Sequence, residues 1–345
     1  MRQDGDVDGI EALAEIAFWL ERGRAETRRV QAYRKASWAL AALSAGELEA
    51  RVAADSLTDV PNVGPSTSAA VMEASKGDVP KKLADLRKKG AKPLAEGGQT
   101  LRAKLKGDLH AHSNWSDGGS PIEEMVEAAR AVGHDYFTLT DHSPRLTVAN
   151  GLTADRLNEQ LDVVEEINAR HDDIVLLPGI EVDILEDGKL DQTRAMLQRL
   201  DVVVASVHSK LRSDSETMTQ RMVGGIANKM TNVLGHCTGR LVEGGRGTRP
   251  ESQFDAEVVF AACAQFDVAV EINSRPERRD PPSRLIQLAL EAGCLFSIDT
   301  DAHAPGQLAF QDYGCARAVE NGVPADRIVN TWPREQLLQW THAKR

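Results

Sequence analysis

Long apolar runs are missing from this chain. No stretch of its 345 residues reaches the roughly 20 apolar residues that a membrane-spanning helix needs, so no membrane association is expected. Cysteine is scarce: the four residues are Cys237, Cys263, Cys294 and Cys315. None forms a Cys-x-x-Cys pair, and the spacing suits reduced thiols in a cytoplasmic protein. Cys237 directly follows His236 and reads as strand-end packing. Met1 to Gly9 is acidic and polar, so a secretory signal is not expected. Internal repeats and low-complexity segments are also absent.

Positive charge is outweighed overall, with a net charge of −11, but the imbalance is local. Residues 1–106 hold 18 Lys and Arg against 15 Asp and Glu, a net of +3; residues 107–345 hold 23 against 37, a net of −14. Arg22, Arg24, Arg28, Arg29, Arg34 and Lys35 cluster with only Glu26 among them, and a second basic block runs from Lys76 to Lys106. Basic patches on an acidic protein mark a polyanion-binding face or a solvated helical surface. The acidic excess of the larger part fits carboxylates that cations would neutralise.

Residues 10–90 have helical spacing. Ile10, Leu13, Ala14, Ala17 and Leu20 line one face, and Val30, Tyr33, Ala36, Ser37 and Leu40 line a second. Val60-Pro61-Asn62-Val63-Gly64-Pro65-Ser66 reads as a tight turn, with Ser66 as N-cap of a helix over 67–76. Lys92-Pro93 and Gly97-Gly98 break the pattern, which places a linker at 91–106 between a helical domain (1–90) and a larger domain (107–345). In the latter, apolar runs at 105–110, 136–140, 174–177, 202–207, 232–235, 268–272 and 295–298 alternate with helical patterns at 121–132, 153–170, 190–199, 214–229, 253–265, 283–292 and 312–321. Such alternation predicts an α/β fold: a parallel sheet covered by helices, closing as a barrel.

The chemistry-bearing residues sit at the ends of those strands. They are His110 and His112, Asp117, His142, Glu181, His208, His236, and Asp301 with His303. All but Asp117 end an apolar run, and strand ends at one face of a barrel bring distant side chains into one pocket. Six His and three carboxylates are too many for one ion and point to a multinuclear hydrolytic site. Imidazole and carboxylate without thiolate suit zinc, manganese or iron. Asp108, Asp141 and Asp299 lie beside these residues and are expected to orient their imidazoles. His134, His171 and His342 fall outside the pattern and read as surface residues.

Taken in order, Gly-Asp-Leu-His-Ala-His, Thr-Asp-His, Gly-x-Glu, Ser-Val-His, Gly-His-x-x-Gly-Arg and Thr-Asp-Ala-His resemble the PHP (polymerase and histidinol phosphatase) metal-dependent phosphoesterases over residues 106 to about 330. The resemblance implies a distorted seven-stranded β/α barrel and three divalent ions. His110, His112, Glu181 and Asp301 would hold the first. Glu181, bridging, with His208 and His236 would hold the second, and Asp117, His142 and His303 the third. Many family members have His where this chain has Asp117. The implied chemistry is attack on phosphorus by a metal-activated hydroxide, with Glu181 and Asp301 at the reacting centre. Ala32-Tyr33-Arg34-Lys35-Ala36 and Val60-Pro61-Asn62-Val63-Gly64 resemble the N-terminal DNA-binding domain of bacterial family X DNA polymerases, which includes a helix-hairpin-helix. The short stretch between the two parts leaves no room for a polymerase palm, so nucleotide incorporation is not expected.

Cationic residues after strand ends suit a substrate phosphate. Arg240, Arg275 and Lys210 are the favoured contacts, with Arg240 also at the catalytic centre. Arg212, Arg278 and Arg279 lie nearby, and Trp115 reads either as a stacking platform or as lid packing. In the hairpin, Val63, Gly64, Ser66 and Thr67 form the expected DNA contact, read through backbone N–H groups. Asn62 stands where a glycine is usual and tolerates positive φ. Three functions follow. The first is a phosphoesterase at DNA ends, a 3′→5′ exonuclease or 3′-phosphatase in repair, with DNA held through residues 1–90. The second is a small-molecule phosphatase of the histidinol-phosphatase type, its pocket closed by loops 143–152 and 240–252. The third is a catalytically silent binding module, against which the full ligand set argues. A cytoplasmic monomer is expected.

Overall fold

The computed structural model describes residues 7–245 and 247–345. Most of the stretch read as lacking a secretory signal, and Arg246 within loop 240–252, lie outside the described residues. The chain divides into two compact units, Met1–Pro93 and Leu94–Arg345.

The first unit is all helical: α1 (Gly9–Arg22), α2 (Thr27–Ala41), α3 (Ala45–Ala53), α4 (Pro65–Ala74) and α5 (Lys81–Gly90). Asp8 caps α1, its carboxylate accepting from the N–H groups of Ile10 and Glu11. Leu13, Ile16, Ala17 and Leu20, three or four residues apart, face one core with Val30, Tyr33, Ala36 and Leu40 of α2, Val63, Val71 and Leu83. Each such large side chain contributes about 1.5–3 kcal/mol by leaving water. Not all the basic charge is surface charge. Arg34 is buried against Glu21 at 2.5 Å, and Arg87 pairs with Glu15 at 2.6 Å.

The turn before α4 has a left-handed residue at Asn62, with φ of 70°. Gly64, not Ser66, is the N-cap, and the helix runs over Pro65–Ala74, two residues ahead of the expected 67–76. Proline is pre-set for the first helical position, so Pro65 fixes the start and leaves Ser66 exposed in the first turn. The Thr67 hydroxyl folds back, accepting from Gly64 N–H at 2.9 Å. Asn62→Gly is expected to retain or slightly raise the stability of this unit. Asn62→Val should cost about 1–2 kcal/mol, read by chemical denaturation, because a β-branched side chain resists positive φ.

The second unit is built on seven parallel strands in sequential order: β1 (Gly107–Asp108), β2 (Tyr136–Leu139), β3 (Val175–Asp183), β4 (Val202–Ser206), β5 (Val233–Leu234), β6 (Ala269–Asn273) and β7 (Phe296–Asp299). Between them run α7 (Ile122–Ala131), α8 (Ala154–Asn168), α9 (Arg194–Leu197), α10 (Ser215–Ile226), α11 (Ala256–Gln265) and α12 (Ser283–Glu291). All seven expected strands are present, and the sheet curls until its edges meet. Ala111 bridges Ala302 in parallel, and His112 N–H donates to the Ala302 carbonyl at 2.7 Å. Below that bridge, buried Asn330 zips the seam: its Nδ2 reaches the Gly107 and Ile298 carbonyls and its Oδ1 accepts from Ile298 N–H. This is a seven-stranded β/α barrel.

Two features depart from the sequence reading. The expected linker 91–106 is not a bare linker. It carries α6 (Gln99–Arg102), and Leu101 and Leu105 belong to the barrel's main apolar core. Strand β3 also continues well past Leu177, through Pro178-Gly179. A Cβ on Gly179 would stand 2.6 Å from Thr138 Cγ2 and 2.9 Å from the Val202 carbonyl, so only glycine lets β3 pass between β2 and β4 there. That passage carries Glu181 to the middle of the barrel mouth. After β7 come α13 (Gln311–Glu320) and α14 (Arg334–His342).

Candidate metal centre

Glu181 is the hub of the barrel mouth. Its Oε1 lies 3.1 Å from His208 Nε2 and 2.9 Å from His236 Nε2. Its Oε2 lies 2.9 Å from His142 Nδ1, 3.2 Å from His110 Nε2 and 3.5 Å from His112 Nε2. Asp301 and Asp117 complete the array. Asp301 Oδ1 is 3.5 Å from both His112 Nε2 and His303 Nδ1, and Asp117 Oδ1 is 3.4 Å from His142 and 3.3 Å from His303. All nine residues singled out from the sequence thus converge. Their ligand atoms form four overlapping groups: His112, Asp117, His142 and His303; His110, Glu181 and His236; His110, His112 and Asp301; His142, Glu181 and His208. The overlap pairs His236 with His110, and His142 with His208, where the family resemblance implies separate sets for these histidines.

The charges are strongly coupled. Burial alone would lower the pKa of His110, His142 and His208, but the facing carboxylates together outweigh it, Glu181 with Glu271 at His110, with Asp117 at His142 and with Asp183 at His208, and all three are raised, His142 to about 10. His112 goes the other way, pushed down to about 3 by burial and by His303 and His142. His236 is lowered by burial and by Arg278. Burial opposes ionisation of Glu181, yet the surrounding imidazoles hold it well below the usual carboxylate range; Arg278 does the same for Asp301.

The neighbouring carboxylates do not have the expected roles. Asp108 accepts from the N–H groups of His110 and Thr300 and from the Thr300 hydroxyl. Asp299 accepts from Leu109 N–H and Asn330 Nδ2, and Asp141 from Ser113, Ser116 and Gln160. These three tie strand ends and loops together and hydrogen-bond to no imidazole ring. Two residues the sequence reading passed over do approach the rings. Glu271 Oε1 is 2.6 Å from His110 Nδ1, and Asp183 Oδ1 is 3.3 Å from His208 Nδ1. A carboxyl inside the apolar run 268–272 was the available signal for Glu271. His134 is also not a surface residue: it is buried and its Nε2 lies 2.9 Å from Gln311 Oε1.

A cleft of about 610 Å³ opens beside the centre. Arg212, Arg249 and Arg278 line it, together with Leu146, Val148, Leu211 and Leu241. Of the favoured cations, Arg275 reaches the Asp301 carbonyl at 3.0 Å and lies 2.9 Å from His303 Nδ1. Arg240 points elsewhere: it braces the carbonyls of Arg278 and Arg279 and pairs with Glu251. Lys210 is exposed and outside the cleft lining. Trp115 is half-buried against the barrel core, and its carbonyl accepts from Asn150 and Arg156, so it packs the loop.

With this geometry in place, comparison with known proteins is informative. Residues 108–275 match the model of the PHP domain. The chain carries a PHP domain. The DNA polymerase/3′-5′ exonuclease PolX of Bacillus subtilis (strain 168) is 36% identical over 227 residues, covering 66% of this chain and 39% of that protein. The chain therefore spans well under half the length of that relative. A "probable phosphatase" of Enterobacter sp. (strain 638) is 28% identical over 67% of this chain and 91% of its own length. A solved histidinol phosphate phosphatase of Lactococcus lactis, complexed with zinc, L-histidinol and phosphate, has a TM-score of 0.46 at 18% identity, over 63% of this chain and 94% of that one. Among the described residues, no helix is long and apolar enough to cross a membrane.

Proposed function

We propose that the chain hydrolyses phosphate esters at DNA ends, as a 3′→5′ exonuclease or 3′-phosphatase, with divalent metals held by the nine-residue centre. The coarser class has its own support: the PHP domain and the phosphatase relatives make the chain a hydrolase of phosphate esters. The DNA-end reading draws on the PolX relative and on the cleft.

The residues present fit a metal cluster. His110 Nε2, both ring nitrogens of His112 and His236, and both Glu181 oxygens are buried and meet no hydrogen-bond partner outside the cluster itself. Leaving one such atom unsatisfied costs about 1–3 kcal/mol, more when charged, so the mouth is arranged around cations. His110, His112, Glu181 and Asp301 would hold one ion, His208, His236 and Glu181 a second, and Asp117, His142 and His303 a third. Bound there, such ions lower the pKa of water and offset charge on phosphoryl oxygens. Glu181 presents one oxygen to each side of the centre. Arg278 donates to Asp301 Oδ2 at 2.9 Å, which fixes that carboxylate and leaves Oδ1 for the centre. Arg275 holds the backbone of the same residue, and its charge beside His303 suits a phosphate oxygen.

One observation favours DNA over a small amino-alcohol ester such as histidinol phosphate. Beyond the centre the cleft wall is cationic and apolar; among the described residues its only lining carboxylates are Asp117 and Asp301, both committed to the centre. An ammonium group would find no partner there, whereas Arg212 and Arg249 suit a second phosphate and the leucines and Val148 suit a base. Arg212→Ala and Arg249→Ala are each expected to raise KM for a 3′-recessed duplex about 10-fold, the weight of one charge-assisted contact. Turnover of p-nitrophenyl phosphate should be unchanged. Equal loss on both substrates would contradict the polyanion reading.

The hairpin supports the same function. Val63 and Thr67 are buried, so their side chains do not reach a ligand. What the turn offers is the exposed Ser66 hydroxyl and the first-turn N–H groups of α4, including those of Ser66 and Thr67, which have no partner within a helix. That arrangement suits a backbone phosphate, without sequence readout.

A further inference from the structure

We propose that Glu271 is a positioning residue of the metal centre: it fixes the tautomer and ring orientation of His110 and sets the backbone of His236, and so orients one ligand of each of the two ions that would share Glu181. The inference rests on reading the centre as a metal site. Glu271 stands on β6 in the run Val268-Ala269-Val270-Glu271-Ile272 and is fully buried. A lone carboxylate there is costly unless its oxygens are satisfied, and its partners all lie around the centre. Oε1 is 2.6 Å from His110 Nδ1. Oε2 accepts from the backbone N–H of His236 at 2.5 Å and from Asn273 Nδ2 at 3.1 Å. Asn273 Nδ2 in turn lies 3.3 Å from Asp301 Oδ2. A single side chain thus ties together ligands following β1, β5 and β7.

The chemistry of the contact sets its direction. A carboxylate can only accept, so the proton of a neutral His110 belongs on Nδ1. The lone pair of Nε2 then faces Glu181 Oε2, 3.2 Å away, where an ion would sit. Without the carboxylate, the ring is free to carry its proton on Nε2, which blocks ligation. Glu271 is not itself among the grouped ligand atoms, so its effect passes through His110 and His236. Outer carboxylates of this kind typically contribute 10–100-fold to metal affinity.

The test compares the full chain with Glu271→Gln. Zinc content after dialysis against graded zinc buffers should fall by about one to two ions per chain, or the affinity of the two sites served by His110 and His236 by about 10–100-fold. The ion of Asp117, His142 and His303 should be retained. In the zinc-loaded wild type, long-range ¹H–¹⁵N correlations of labelled histidine should show His110 protonated on Nδ1, with a metal on Nε2. This second readout does not depend on the variant folding. Nδ1 ligation in the wild type, or an unchanged zinc titration in Glu271→Gln, overturns the role of Glu271. Absence of metal from the wild type itself would overturn the metal reading, and the inference with it.

Discussion

Glu181→Gln is expected to lower kcat/KM for phosphate-ester hydrolysis by about 1,000-fold, equivalent to about 4 kcal/mol of transition-state stabilisation at 1.36 kcal/mol per decade. The expectation comes from its place at the hub. One carboxylate faces five imidazoles, with Oε1 serving His208 and His236 and Oε2 serving His142, His110 and His112. A glutamine keeps the shape but turns one of those oxygens into a donor, so one side of the centre meets N–H where it needs a lone pair. The lost negative charge also removes what attracts cations there. Initial rates on p-nitrophenyl phosphate with Mn²⁺ measure the loss; a decrease under 10-fold would show that Glu181 does not bridge the centre.

Removal of metal by a chelator is expected to lower the unfolding temperature of the barrel by about 10 °C. A ligand present at 1,000 times its dissociation constant stabilises the fold by about 4 kcal/mol, and each kcal/mol shifts a domain of this size by about 2–4 °C. Metal uptake must expel the protons that the facing carboxylates hold on His110, His142 and His208, whose pKa values are raised. Apparent affinity should therefore rise with pH across the neutral range, with proton release on loading. Scanning calorimetry with and without chelator checks the shift; identical transitions would contradict a structural contribution from metal.

The barrel and its candidate ligands were legible because every one of them except Asp117 ends an apolar run, and parallel strands place their ends on one face. Other features were hidden for identifiable reasons. The Pro178-Gly179 step looks like a break, yet Gly179 is there because two neighbouring strands leave no space for a Cβ. Asn330 and α14 carry no periodic signal that tells of the barrel seam. Glu271 and Asp183 lie in or beside apolar strands, where a single carboxylate gives no hint of which ring it will meet. Arg240 and Arg212 follow strand ends equally well in sequence. Only packing shows that the first braces a loop and the second lines the cleft.

The measurement that bears most directly on the account is the action of the full chain, loaded with Mn²⁺, on a 3′-recessed DNA duplex and on histidinol phosphate in parallel. The account predicts nucleotide or phosphate release from the 3′ end, abolished in Glu181→Gln, with little turnover of histidinol phosphate. Intact DNA alongside rapid hydrolysis of histidinol phosphate would contradict it.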